Sequence, residues 1–246
     1  ITMLIISFLI VAVIGVMQQS TSYEQSNFGD TVVFYPQHED DETLWAGSAI
    51  LEAIKERGAD NVYVVLVSYG TGIKVFKDEK YSNLSNQEKY EYREREFLDA
   101  VKELGVKKEN IILLPRINNS EVTSFNLMEK TALDFERKFD NVTHVAYTYK
   151  YDWHLQHLKN GSTIQSLYNS GKIKHALYFI KPRYEKDLPI SEKIIYKSET
   201  TMEKQRIKKA CMAYKIIDEK SKREGIGYKS DHKSFEDLMI KNRSIL

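Results

Sequence analysis

The stretch Thr31–Glu42, TVVFYPQHEDDE, runs from an apolar segment straight into a cluster of ionisable side chains. Thr31–Pro36 is too short for a helix and rich in β-branched and aromatic residues, which predicts a buried strand. Glu42–Gly58 follows with apolar residues at Leu44, Ala46, Ile50, Leu51 and Ile54, a helical spacing that Gly58 is placed to stop. The alternation continues outward from there. Further strands are predicted at Asn61–Ser68, Asn110–Pro115, Val142–Tyr149 and His175–Ile180, and helices at Gln87–Gly105, Val122–Phe139, Thr163–Ser170 and Glu203–Lys220. Strands separated by helices of this length imply parallel βαβ units, hence an α/β fold: a Rossmann-like, doubly wound, mostly parallel sheet with helices on both faces. Such sheets bind ligands at the C-terminal ends of their strands.

Composition narrows the function classes. Lys plus Arg number 36 against 35 Asp plus Glu in 246 residues, and this balance excludes the basic excess of a nucleic-acid binder. The single cysteine, Cys211, rules out an internal disulfide framework and any zinc site built from several thiolates; within a helical pattern it reads as a small buried residue. Residues 1–17 (ITMLIISFLIVAVIGVM) carry no charge, and 18–30 are largely polar. The expectation is an N-terminal apolar helix serving as a transmembrane anchor or signal segment (1–17), a polar linker (18–30) and one catalytic domain (31–246). That arrangement implies a membrane-anchored, extracytoplasmic protein, or a secreted one if the segment is cleaved. The oligomeric state is open.

Two polar clusters stand directly after strands: Gln37-His38-Glu39-Asp40-Asp41-Glu42, and Asp152-Trp153-His154-Leu155-Gln156-His157. Acidic residues at a helix start have a simpler use, complementing the helix dipole. Loops from neighbouring strands can meet at one sheet edge, however, and two imidazoles with a carboxylate converging there make a three-ligand zinc site with a position left for water. A second carboxylate beside such a site can take the water's proton. A nucleotide site is disfavoured, because carboxylates rather than a glycine-rich loop follow the first strand.

His38-Glu39-Asp40-Asp41-Glu42 resembles the His-Pro-Asp-Asp-Glu motif of the PIG-L/LmbE-like zinc deacetylases, and the second cluster resembles their Gly-Asp-x-His-Pro-Asp-His motif. Arg93, Glu96, Ala100 and Leu104-Gly105-Val106 are similar to the intervening family helix. The resemblance implies zinc held by His38, Asp41 and His157, with Asp40 as general base. It implies that His154 polarises the carbonyl, stabilises the oxyanion or protonates the leaving amine, and that Arg93 reaches a sugar hydroxyl or a nearby polar group. The implied reaction removes an N-acetyl group from an N-acetylglucosamine-containing compound or glycan.

Two positions depart from the motifs. Glu39 replaces a proline, which loosens a turn and adds charge near the metal. Gln156 replaces an aspartate, so a histidine it orients, His154 in this reading, loses a charged partner. These departures keep open a non-catalytic or weakly active carbohydrate-binding relative; a zinc amidase acting on a non-sugar N-acyl group is a second alternative that keeps the same metal chemistry. Trp153 is a candidate stacking platform for a sugar ring, or else a packing residue. His144 and His175 read as structural, and His232 as a surface residue.

Overall fold

All four residues of the first strand, β1 (Thr31–Phe34), are buried, because both faces of the sheet are covered. Val32 and Phe34 point into one core, Val33 and Tyr35 into the other. The computed structural model describes residues 26–246 apart from Glu121 and Glu219. The remaining elements, in chain order, are α1 (Asp41–Leu44), α2 (Gly47–Arg57), β2 (Val62–Leu66), α3 (Asn86–Leu104), β3 (Ile111–Leu113), α4 (Leu114–Asn118), α5 (Phe125–Lys138), β4 (Val142–Tyr147), α6 (Leu155–Asn169), β5 (His175–Phe179), β6 (Ile195–Lys197), α7 (Thr201–Ala213), β7 (Ile217–Asp218), β8 (Arg223–Glu224), α8 (Ile226–Lys241) and β9 (Arg243–Ile245).

The central sheet has the order β3-β2-β1-β4-β5, with every pairing parallel. Ala49 and Ile50 of α2, Phe97 of α3, Ile207 of α7 and Phe235 of α8 pack on the Phe34 face. Met128 and Ala132 of α5 with Ile164 and Leu167 of α6 pack on the Tyr35 face. The doubly wound expectation is met. Strand order reverses between β1 and β4, and there the chain leaves neighbouring strands toward opposite faces and opens a crevice.

Several boundaries differ from the sequence reading. The helix predicted over Glu42–Gly58 breaks at Trp45–Ala46, and Trp45 turns its indole N–H to Asp41 Oδ1 at 3.0 Å. α6 begins at Leu155, well before Thr163, and Asn160 and Gly161 within it are packing residues. The buried Asn160 side chain donates to Tyr35 O and Gln37 Oε1 and accepts from Tyr147 N. A Cβ at Gly161 would run into Tyr147 O, so only glycine lets α6 lie this close to the end of β4. α8 and the antiparallel β6–β9 pair were not predicted.

The expected apolar helix at 1–17, and the linker as far as residue 25, lie outside the described residues. Phe28, assigned to that linker, is buried and stacks on Tyr196 with ring centroids 5.2 Å apart. Among the described residues no helix is long and apolar enough to cross a membrane. The expectation of a membrane-anchored, extracytoplasmic protein is corrected accordingly: the described helices bury one apolar face on the sheet and carry no span.

Candidate metal and catalytic site

The loop after β1 carries His38 and Asp40, with Asp41 opening α1, and the loop after β4 carries Asp152, Trp153 and His154, with His157 in the first turn of α6. These loops flank the crevice where strand order reverses. His38 Nδ1 lies 3.2 Å from His157 Nε2, and Asp41 Oδ2 lies 3.7 Å and 3.6 Å from those two nitrogens. Zinc–ligand bonds of about 2.0–2.2 Å at tetrahedral angles separate ligand atoms by about 3.3–3.6 Å, so the three atoms are spaced as one ion requires. His154 also offers a ring nitrogen within 4.8 Å of those of His38 and His157.

The surroundings fix which atoms face inward. Asp152 Oδ2 accepts from His157 Nδ1 at 2.8 Å, which leaves the His157 Nε2 lone pair free. Gln156 Oε1 lies 2.8 Å from His38 Nε2 and accepts its proton, leaving His38 Nδ1 bare. Asp41 Oδ1 takes N–H and O–H donors from Trp45 (3.0 Å) and Tyr147 (3.4 Å), so Oδ2 is the oxygen turned to the imidazoles. With Gln156 and Asp152 facing the outer ring nitrogens, His38 Nδ1, His157 Nε2 and Asp41 Oδ2 converge as three potential donors to one cation. Burial lowers His38 to about 4 and keeps it neutral, the form that binds metal. Burial opposes ionisation of Asp41, but His157, His38 and Lys181 outweigh it and hold the carboxyl below its ordinary value. The residues present fit a divalent metal.

Asp40 stands beside this cluster with φ of 121°, a left-handed backbone rarely adopted by a residue with a side chain. Its Oδ2 accepts from Arg93 Nη2 at 3.1 Å. Burial pushes the Asp40 carboxyl well up; Arg93 pulls it down, and Asp41 and Glu42 add to the rise. Arg93, expected to reach a sugar hydroxyl or a nearby polar group, is only 1% exposed, and its guanidinium meets polar groups of the chain: Asp40, the Glu39 carbonyl oxygen and Glu39 Oε2. Glu39 is equally buried, and its Oε2 also accepts the Gly70 N–H at 2.8 Å. The residue in the proline position therefore ties the loop after β1 to α3 and to the loop after β2, and its charge is paired with Arg93 rather than loose near the metal. Glu42, pushed up to about 7 by burial, accepts from Asp40 N (3.1 Å) and Tyr214 OH (2.7 Å) and braces the same loop.

His154 sits with its ring centroid 4.4 Å from that of His157, and its Nδ1 is buried without a partner. Burial first, then His157 and Lys181, lower its proton affinity. Gln156 does not orient it, contrary to expectation, because its amide is engaged with His38 and Thr123. Trp153 is 70% exposed beside His154, open to solvent and not a packing residue. The sequence reading assigned no role to Asp152 or Lys181. Lys181 Nζ lies 2.9 Å from Asp152 Oδ2, and with His157 it holds that carboxylate ionised against burial. Its position just after β5 is the signal that would have found it. His144 is structural, bridging Tyr35 OH at 2.9 Å and Glu136 at 3.2 Å, while His175 and His232 are exposed. Cys211 is buried, its thiol pushed up to about 12 by burial, so it is not a nucleophile.

A family model described as "PIG-L: GlcNAc-PI de-N-acetylase" matches residues 32–168, from β1 through most of α6. No curated protein matches the chain. Among solved structures, the chain is similar to the N,N'-diacetylchitobiose deacetylase of Pyrococcus horikoshii, at 15% identity and TM-score 0.54 over 89% of this chain and 84% of that one. It is similar to a deacetylase of the teicoplanin biosynthetic pathway, at 15% identity and TM-score 0.56 over 85% and 89%. It is also similar to GalB, the 4-carboxy-2-hydroxymuconate hydratase of Pseudomonas putida, at 12% identity and TM-score 0.55 over 87% and 95%. At these identities the likeness concerns the fold, which hosts more than one chemistry.

Proposed function

The chain belongs to the PIG-L family, over residues 32–168, and from that premise we propose that it is a zinc-dependent hydrolase that removes an N-acetyl group from an N-acetylglucosamine-containing substrate. The observation that carries this reading is the convergence of His38 Nδ1, Asp41 Oδ2 and His157 Nε2, bare acceptors 3.2–3.7 Å apart, with the Asp40 carboxylate alongside. Zinc, held by those three residues, supplies Lewis acidity toward the acyl oxygen and makes water a stronger acid.

The chain's own groups do the rest. Asp40 takes a proton from the attacking water through its carboxylate, which Arg93 aims and draws toward its charged form against burial. The water oxygen adds to the acetyl carbon, the C–N bond breaks, and the proton passes from Asp40 to the leaving nitrogen, giving acetate and a free amine. His154, half-buried and with its proton affinity lowered, serves as an N–H donor to the acyl oxygen as negative charge builds there. Trp153 offers an exposed ring on which a sugar face stacks. A cleft of about 580 Å³ begins at Trp45 and Lys181, beside the metal ligands, and gives room for a group beyond the acetylated sugar.

The test is free-amine release from a panel of N-acetylglucosamine glycans and non-sugar N-acetyl amides, using protein stripped by chelator and then reloaded with zinc. Release from sugars by the reloaded protein alone, lost in Asp40→Asn, is expected. Release from no panel member, or undiminished release by Asp40→Asn, contradicts the reading.

A further inference from the structure

The two imidazoles facing the metal position have their tautomers set by different means. His157 Nδ1 lies 2.8 Å from Asp152, a carboxylate that only accepts, closer than the 3.4 Å to Lys181 Nζ, and this favours its proton on Nδ1. His38 faces Gln156, and an amide has two ends. With Oε1 toward the ring, His38 carries its proton on Nε2 and bares Nδ1 to the metal. With the amide reversed, an N–H would point at Nε2, the proton would move to Nδ1, and His38 could not ligate. An aspartate, as in the family motif, needs nothing further; glutamine needs something that holds its orientation.

The polarity of one hydrogen-bond chain supplies it. Gln156 Nε2 lies 3.1 Å from Thr123 Oγ1, which lies 2.7 Å from Ser68 Oγ, which lies 3.3 Å from the Tyr69 carbonyl oxygen. A carbonyl only accepts. Ser68 therefore donates to it and accepts from Thr123, and Thr123, having spent its proton, accepts from Gln156. The amide's NH2 end is thereby drawn away from His38 and Oε1 is left facing Nε2. Ser68 follows β2, Thr123 precedes α5, and Gln156 lies in the first turn of α6, so three separate segments cooperate in one contact.

We propose that Thr123, anchored through Ser68 on the Tyr69 carbonyl, is a positioning residue that orients the Gln156 amide and so selects the metal-binding tautomer of His38. The proposal rests on the reading of His38 as a metal ligand. Thr123→Val keeps the shape and removes the acceptor; Thr123→Ser keeps the acceptor; Gln156→Glu makes the partner acceptor-only. Two measurements apply to each: zinc affinity by chelator competition, and the protonated ring nitrogen of His38 in metal-free protein by long-range nitrogen–proton NMR correlation.

Metal-free wild type should carry the His38 proton on Nε2. Thr123→Val should weaken zinc binding about 10–100-fold, the cost typical of losing an outer partner of a metal ligand, and should mix the two tautomers. Thr123→Ser should stay within about twofold of wild type, and Thr123→Val added to Gln156→Glu should change affinity by no more than about twofold, since a carboxylate has no donor end to anchor. Unchanged affinity and tautomer in Thr123→Val overturns the proposal, as does an equal loss in the Gln156→Glu background, which would mark a packing effect. If wild type binds no zinc, the metal reading fails, while the metal-free tautomer still decides whether Thr123 sets His38.

Discussion

Replacing Arg93 by Met tests the charge balance beneath the catalytic carboxylate. Arg93 is 1% exposed and lies 3.1 Å from Asp40 Oδ2 and 3.4 Å from Glu39 Oε2, with Glu39 fully buried. Methionine fills most of the volume but leaves two buried carboxylates without their cation. Breaking a buried pair in this way costs about 3–5 kcal/mol, a large part of the roughly 5–15 kcal/mol that holds a domain folded. With a urea dependence of about 2 kcal/mol per molar, the unfolding midpoint should fall by about 2 M. Glu39→Gln removes one of the stranded charges, so Arg93→Met with Glu39→Gln should cost less than the sum of the single changes by about 1–3 kcal/mol. Arg93 also draws the Asp40 carboxyl down against burial, so its loss raises that proton affinity further. Asp40 then stays protonated to higher pH, and the acid limb of kcat/KM should move upward. The assays are urea unfolding followed by fluorescence and a pH profile of amine release. A loss under about 1 kcal/mol, strict additivity with Glu39→Gln, or an unmoved acid limb would refute this account of Arg93.

Asp152→Asn replaces the charged, acceptor-only partner of His157 Nδ1–H by a neutral amide and removes the ionic partner of Lys181, and zinc affinity measured by chelator competition should fall about 10–100-fold. Trp153→Ala should raise KM for glycan substrates while leaving stability within about 0.5 kcal/mol, because the ring is 70% exposed; an unchanged KM removes it from the substrate site. Glu96 accepts the N–H groups of Ile226 and Gly227 at the start of α8, and burial pushes it up to about 7 from an ordinary 4.5. A carboxyl raised on folding contributes stability that is complete below its unfolded value and lost as pH rises through the folded one. Unfolding of metal-free protein should therefore become easier between about pH 5 and 8, and Glu96→Gln should flatten that decline; an unaltered slope would contradict it.

The alternation of apolar runs with helical spacing was enough to read the five parallel strands, because their residues are mostly apolar and the inner strands β1 and β4 are buried along their whole length. What failed were positions where polar residues serve packing. The helix expected from Thr163 starts at Leu155, because Asn160 and Gly161 let α6 dock against the end of β4. Glu39 reads as a loose charge until Arg93, distant in sequence on α3, is seen to meet it. The candidate ligands were legible because all follow strands. Their supporting partners Lys181, Thr123 and Ser68 were not, since each carries one ordinary polar group whose meaning comes only from what it faces. The Gln156 substitution was read as a weakness at His154, and its actual partner is His38.

The position of the metal is decisive. Anomalous diffraction at the zinc edge, from crystals of the zinc-loaded protein, should show one peak about 2.0–2.2 Å from His38 Nδ1, Asp41 Oδ2 and His157 Nε2, with Asp40 adjacent and unligated. No peak at the crevice between β1 and β4, or an ion held by His38, His154 and His157 with Asp41 free, would contradict it.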